Sequence, residues 1–582
     1  MHRSLLLLAS LIPALAGTLL AQGAVIGPVD PPARVARIAY LSGRVAFQPS
    51  GDTAWSVATL NYPMTSGDRV YADRGALVEL QLGSAAVRAS DLTDLTVTDL
   101  TDQFLQLGLA EGTVRVRVYR LDPGDSVEVD TPHGALTLLA AGDYRIDALS
   151  DQQVTTVTVV SGSLQWTAGG VAQLVQSGQA IRISGINPIQ VTSVAPPAAD
   201  GFDRWSAERD NRLTASLSAQ YVSRDIPGYE DLDDYGKWHT DPAYGPVWYP
   251  SAVPVGWAPY RYGHWVWIEP WGWTWVEHER WGYAPFHYGR WVHVRGAWGW
   301  VPGPLVVRPY YAPALVVFVD GSRYSAQAWF PLGPGEPYYP WYHHDVEYRR
   351  KLNATNLRGG PYTARIDDPT YIERIPYRNR TDGLTAVPSS GFQARGPIAG
   401  RLMREAVQRF QTAPIAPHAT VLPGAGAAAG GYSDPRTSAG RRPSFVTAPA
   451  PRPAPAVTPS RPLEVRRVVP AGGQRPPVVI TRQAPPAQNV PFPTRQRAMQ
   501  SDSGRPLDPR QVENLRAGRP AGERRDVEYP PHPAARDTAK APQRNAGAGK
   551  APERRAAPTP APQRPANPKT TPTTPPERRR QP

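Results

Sequence analysis

Seven of the eleven histidines lie between residues 239 and 344: His239, His264, His278, His287, His293, His343 and His344. Imidazole is the commonest protein ligand for metals and titrates near neutrality. His343-His344-Asp345 sets three ligand-type side chains in a row. Neighbours in an extended chain point to opposite sides, however, so one ion rarely takes both. The sequence has no HExxH helix pattern and no cysteine, so neither a metal site nor a cofactor is expected. Three carboxylates, Glu269, Glu277 and Glu279, share this stretch. A glycosidase needs two carboxyl groups about 5–9 Å apart across a cleft. Glu277 and Glu279 are two apart and could share a strand face, but such a pair in a turn-rich loop reads as a solvated edge. The chain has no phosphate loop, nucleophile elbow or dinucleotide fingerprint. No catalytic residue is therefore expected.

The third chemistry-bearing group is aromatic. "GHWVWIEPWGWTWV", residues 263–276, holds five tryptophans, and 14 of the 17 in the chain fall between Trp238 and Trp341. Displayed indoles stack well on sugar faces, which makes Trp265, Trp267, Trp271, Trp273, Trp275 and Trp291 the candidate ligand platform. The competing demand is the core. From Trp238 to Pro304 there are twelve Trp and eight Val, one Ile, and no Leu or Met. A buried Trp removes roughly 200 Å² from water, about 5 kcal/mol gross. Without that contribution, eight valines cannot offset backbone ordering at ~1–2 kcal/mol per residue. Most of these rings are expected inside, with one or two left for a platform.

The elements that position them read as β-hairpins. "APYRYGHWVWIEPWGWTWV" from Ala258 is followed 26 residues on by "APFHYGRWVHVRGAWGWVPG" from Ala284. Each copy places Trp on alternate positions of a strand, a turn, and a Trp-Gly-Trp return strand. The first turn falls at Glu269-Pro270. The stretch closely resembles a Trp-rich domain of unknown function found in exported bacterial proteins, often behind a FecR-like domain. Its carrying motifs include "DLDDYGKW", "YGPVWYP", "WGYAPFHYGRWV" and "WFPLGPGEPYYPWY". "EHER", Glu277 to Arg280, departs from that pattern. The family brings a boundary and no activity.

Upstream, short alternating runs with turn signals every 8–12 residues mark residues 34–194 as an all-β sandwich, roll or solenoid. Gly43-Arg44-Val45, Gly67-Asp68-Arg69-Val70, Gly112-Thr113-Val114-Arg115-Val116, Val129-Asp130-Thr131-Pro132 and Gly162-Ser163-Leu164 are among the positions that resemble the FecR-like domain family. The resemblance implies the fold. The regulatory role of that family is not carried over, because a signal peptide here leads straight into the β domain.

The domain plan is a signal peptide over 1–23, the FecR-like β domain over 34–194, and a helical and acidic connector over 200–236, its helix capped by Asp203. The Trp-rich β domain follows over 237–345, a partly ordered extension over 346–425, and a disordered basic Pro-rich tail over 426–582. The fold class is mainly β. "MHR", an apolar run and "AQGA" read as an export signal, and no other stretch is long and apolar enough to span a bilayer as a helix. From Gly431 onward 28 basic residues face 11 acidic ones, with 32 of the 67 prolines, so the tail, at +17, more than accounts for the chain's net charge of +13 and offers no periodic apolar face. These features point to a periplasmic or extracellular, non-enzymatic protein that binds or scaffolds envelope polysaccharide or peptidoglycan, with its tail on anionic surfaces. Sensing through a membrane signalling protein is the second reading and a glycan-acting enzyme the third. Export argues against nucleic acid as a partner.

Overall fold

In the first body, apolar and charged residues alternate and the strands sort them onto opposite faces. Val78 and Leu80 enter the core while Glu79 and Gln81 face away; Val114 and Val116 alternate with Arg115, and Tyr144 and Ile146 with Arg145. The computed structural model describes residues 30–185, 188–305, 308–356, 374–424 and 478–522, except 395, 404–406, 488 and 503. It adds residues 366, 368 and 427 and the backbone of 464–467. The expected signal peptide lies outside the described residues.

One antiparallel sheet runs Pro63–Met64, Ala36–Ser42, Leu77–Gln81, Ala85–Ala89, residues 112–118, Gly142–Leu149, Val154–Ser161, Gln179–Ser184 and Gln190–Val194. A second runs Ser56–Val57, Val45–Gln48, Arg69–Ala72, Thr93–Leu100, residues 104–111, Ser126–Thr131, Gly134–Leu138, Ser163–Ala168 and Val171–Gln176. The strand Phe104–Val118 serves both. It changes sheet at Gly112, whose φ of +99° suits glycine and where a Cβ would collide with Thr93 and the Leu92 carbonyl. The mainly β reading of residues 34–194 holds.

The charged outer face of the first sheet is covered by the helix Gly201–Ala215. Asp203 meets Arg115 and Arg145, Asp210 meets Arg88, and Arg209 meets Glu79, at 2.6–2.8 Å. The connector is therefore docked through ion pairs, a matching that apolar periodicity cannot reveal. Its cap differs from expectation. Asp200 accepts from the Asp203 amide at 2.9 Å, while the Asp203 carboxylate returns to the Asp200 amide. Asp203 is thus the third helical residue of a capping box. Asp200→Ala is expected to lower stability by about 1 kcal/mol, the usual cost of a lost cap, in urea unfolding. No change would mean that the ion pairs alone hold the helix end.

The tryptophan body has three small sheets. Gly236–Asp241, Gly245–Pro250, Ala297–Val301 and Arg290–Val294 form the first; the hairpin His264–Ile268 with Gly272–Val276 is the second. In the third, Thr385–Pro388 and Ile415–Ala416 flank Ala326–Pro331 and Val316–Val319. The expected boundary at 345 therefore falls inside one fold, since strands beyond it complete that sheet.

The expected disordered tail also needs correcting where it is described. Val478–Thr481 pairs with Glu464–Arg467 and meets Ser126–Thr131 at Ile480 and Thr131. Helices Phe492–Ser501 and Pro509–Arg516 follow; the first buries Phe492 and Met499, and the connection between them buries Leu507. Among the described residues no helix is long and apolar enough to cross a membrane.

Candidate functional site

Both expected hairpins form. Trp265 faces Trp275 and Trp267 faces Trp273 in the first; Trp291 faces Trp300 in the second. The six rings of the candidate platform are nevertheless all buried, at 0–3% exposure. Trp265 stacks on Phe392 at 5.4 Å and meets Trp329 edge-on at 5.6 Å. Trp271 packs on Tyr311, and Trp291 on Trp257 and Phe286. Four of the six spend their N–H groups internally: Trp267 on Glu269, Trp273 on the Val421 carbonyl, Trp275 on Glu277 and Trp291 on the Pro285 carbonyl, at 2.9–3.0 Å. The platform expectation fails because neighbouring sheets and loops cover both faces of the first hairpin. Alternation identifies a face but not what lies above it.

Glu269 and Glu277 do not form a hydrolase pair across a cleft. Glu269 follows Ile268 at the turn of the hairpin, whereas Glu277 follows Val276 at its open end. At about 3.3 Å per residue the hairpin separates them by ~20 Å, beyond either glycosidase geometry. Glu277 is also not a solvated edge. It is 1% exposed, accepts from Trp275 Nε1 and from the His278 amide at 3.0 Å, and burial pushes its pKa up to about 8.

The histidines are tied into structure one by one. His264 Nδ1 lies 2.8 Å from His278 Nε2. His287 contacts the Ala312 carbonyl, and burial lowers its pKa to about 3. His344 contacts the Tyr342 carbonyl and is lowered to about 4 by burial. His293 pairs with Asp382, and His239 packs edge-on against Tyr249. Among the described residues, no three His, Asp or Glu side chains converge as a metal site would require.

What the fold does create is a cleft of about 690 Å³ where the first body, the Glu269-Pro270 turn and the C-terminal helices meet. Asp52, Thr53, Ser66, Thr98, Asp99 and Thr101 line it from the β domain, Glu269 and His343 from the tryptophan body, and Asn489, Arg495 and Arg516 from the C-terminal segment. Ser66 Oγ donates to Asp99 and accepts from the Leu100 amide. Asp68 lies buried behind it, accepting from the Ser50 and Thr65 amides at 2.8 Å, and burial raises its pKa to about 7. Apart from the cleft, Arg37 is 1% exposed. Its guanidinium donates to Asn61, Gln81, Asp231 and the Arg280 carbonyl. Asn61 Nδ2 in turn donates to the Glu277 and Glu279 carbonyls. The divergent "EHER" loop thus joins the two bodies through its backbone.

Sequence reasoning missed this cleft. Its ligand-type residues come from stretches hundreds of positions apart, and only the Asp508–Gln511 capping box and the Val478-Val479-Ile480 run hinted that the third wall was ordered.

Both hairpins and the acidic turn before them fall in a stretch with a recognisable sequence family. Residues 229–336 match a family of unknown function, DUF6600. The match supports the Trp-rich resemblance over the DUF6600 region and assigns it no activity. No FecR family model matches, and no curated protein matches the chain. Two crystal structures of a candidate anti-sigma factor from Parabacteroides distasonis are 16% and 17% identical, with TM-scores of 0.21 and 0.20. In both comparisons 22% of this chain and 60% of that one are covered. At these values the likeness transfers neither fold nor function.

Proposed function

We propose that this is an exported, non-enzymatic binding protein of the bacterial cell envelope, and that its interdomain cleft takes glycan or another hydroxyl-rich envelope polymer. One observation carries the reading: hydroxyl, carboxylate and guanidinium groups, set among prolines, line a preformed cleft of ligand size. Sugar hydroxyls both donate and accept, so a wall that mixes Ser and Thr hydroxyls with carboxylate acceptors and guanidinium donors can match them. The FecR-like β domain supplies the floor and the DUF6600 region holds the opposite turn. Export rests on the basic start, apolar run and small-residue exit of the sequence.

Thr53 is exposed at the cleft wall. Thr53→Trp is expected to fill the cleft and weaken cosedimentation with purified peptidoglycan at least about tenfold, with an unchanged melting temperature. Equal sedimentation of both forms would place the ligand elsewhere. Failure of the wild type to bind any envelope polymer, with recovery of a membrane protein after crosslinking, would favour sensing. Release of soluble fragments would indicate an enzyme.

A further inference from the structure

The third wall of the cleft differs from the other two in how it is attached. Residues 428–477 separate it in sequence from the tryptophan body, so its departure would leave every strand of the two large sheets in place except the pairing at Thr131. The segment buries Val479, Ile480, Val490, Phe492, Met499 and Leu507, a far smaller apolar set than either β body buries, and its other anchors are polar. At one end Gln106 donates to Thr481 and the Gln483 carbonyl, and the Arg482 amide donates to Glu128. At the cleft, Arg495 pairs with Glu269 at 3.1 Å and donates to the Ser50 carbonyl, while Asn489 donates to Ser50 Oγ. Pro506 closes against Gly272, where φ is +78° and a Cβ would come within 2.6 Å of the proline ring. Elements with few buried apolar groups and polar anchors open at lower free energy than the core they rest on.

We propose that residues 478–522 are an in-chain lid, hinged at Val478–Thr481 and latched by Arg495 on Glu269, whose release admits polymer to the cleft. The proposal rests on the cleft being the ligand site. The latch is suited to release. Glu269 keeps the Trp267 N–H when Arg495 leaves, and Arg495 passes to water, so opening strands no unpaired buried charge. Charge favours reclosure: the segment has seven arginines against three carboxylates, and the walls it covers present Asp52, Asp99 and Glu269 against Arg34 and Arg69, the latter paired with Asp94. A ligand that occupies those carboxylates competes directly with the lid.

The absence of cysteine makes a clean test available. In the full mature chain, amides of 492–516 are expected to exchange with deuterium at least about tenfold faster than those of Phe104–Val118. Arg495→Gln is expected to accelerate them further without changing the sheets. A Ser50→Cys/Asn489→Cys protein, joined by a short bifunctional thiol reagent, should suppress that exchange. It should also take up soluble peptidoglycan glycan strands at least about tenfold more slowly than before joining. Exchange of 492–516 only together with the sheets, or equal uptake rates in joined and unjoined protein, would overturn the lid. If no form takes up glycan, the cleft reading fails and the exchange experiment alone decides whether the segment opens.

Discussion

Trp275→Ala is expected to lower the unfolding free energy by about 3–5 kcal/mol, the range for a buried large aromatic. The ring is fully buried, meets Trp265, Tyr260 and Phe286, and gives its N–H to Glu277. Truncation leaves a cavity bounded by other rings, which are too rigid to collapse into it. It also takes one donor from a buried carboxyl group, adding the cost of an unmet polar atom. Trp298 offers the comparison. It retains 7% exposure and stacks on His293 near the surface, so Trp298→Ala should cost clearly less. Urea unfolding of both variants checks the order. Unchanged stability for Trp275→Ala, with loss of polymer binding, would mean that the ring serves a ligand instead of the core.

The hairpins were legible because their signal is local. A near-repeat, period-two tryptophans and a turn at Glu269-Pro270 mark two strands and their turn within twenty residues, and the structure forms both hairpins. The shortage of other large apolar residues also indicated that the rings were core. What the sequence left open was coverage. Trp265 is hidden by Phe318, Trp329 and Phe392, the last over a hundred residues downstream. The connector helix was visible, but its cap was misplaced by three residues because Asp200 and Asp203 are chemically equal candidates and only backbone geometry separates them. The lid was hidden by averaging. Phe492, Met499, Leu507 and a capping box sit in a region whose overall proline and arginine content reads as unable to fold. They are ordered here by packing on surfaces far away in sequence, which a local apolar-face test cannot see. The cleft inherits that difficulty, having one wall from each of three distant segments.

Glu277→Gln should change the pH dependence of stability more than its value at any one pH. Burial holds the Glu277 carboxyl to a pKa of about 8 against 4.5 for the free side chain. The folded chain keeps this proton through a window in which the unfolded chain has released it, so stability falls as pH rises from about 4.5 to 8. At ~1.4 kcal/mol per unit the full window is worth several kcal/mol. Asp68 and Glu230, both raised to about 7 by burial, act in the same direction. The buried histidines oppose them. His264, His287 and His344 have lowered pKa values, so the stability they contribute is lost as pH falls below 6.5. The two trends offset one another on the acid side, and above pH 6.5 the carboxyl groups act alone. Wild type should therefore lose stability between pH 6.5 and about 8. Both oxygens of Glu277 accept hydrogen bonds, from Trp275 and from the His278 amide. Glutamine supplies only one such acceptor, so Glu277→Gln should be about 1–2 kcal/mol less stable than wild type at pH 6. At pH 9 the order should reverse, because the variant never buries a charge. Urea midpoints at the two pH values test this directly. A constant difference between variant and wild type would show that Glu277 is already ionised at pH 6 and that the tryptophan core tolerates its charge.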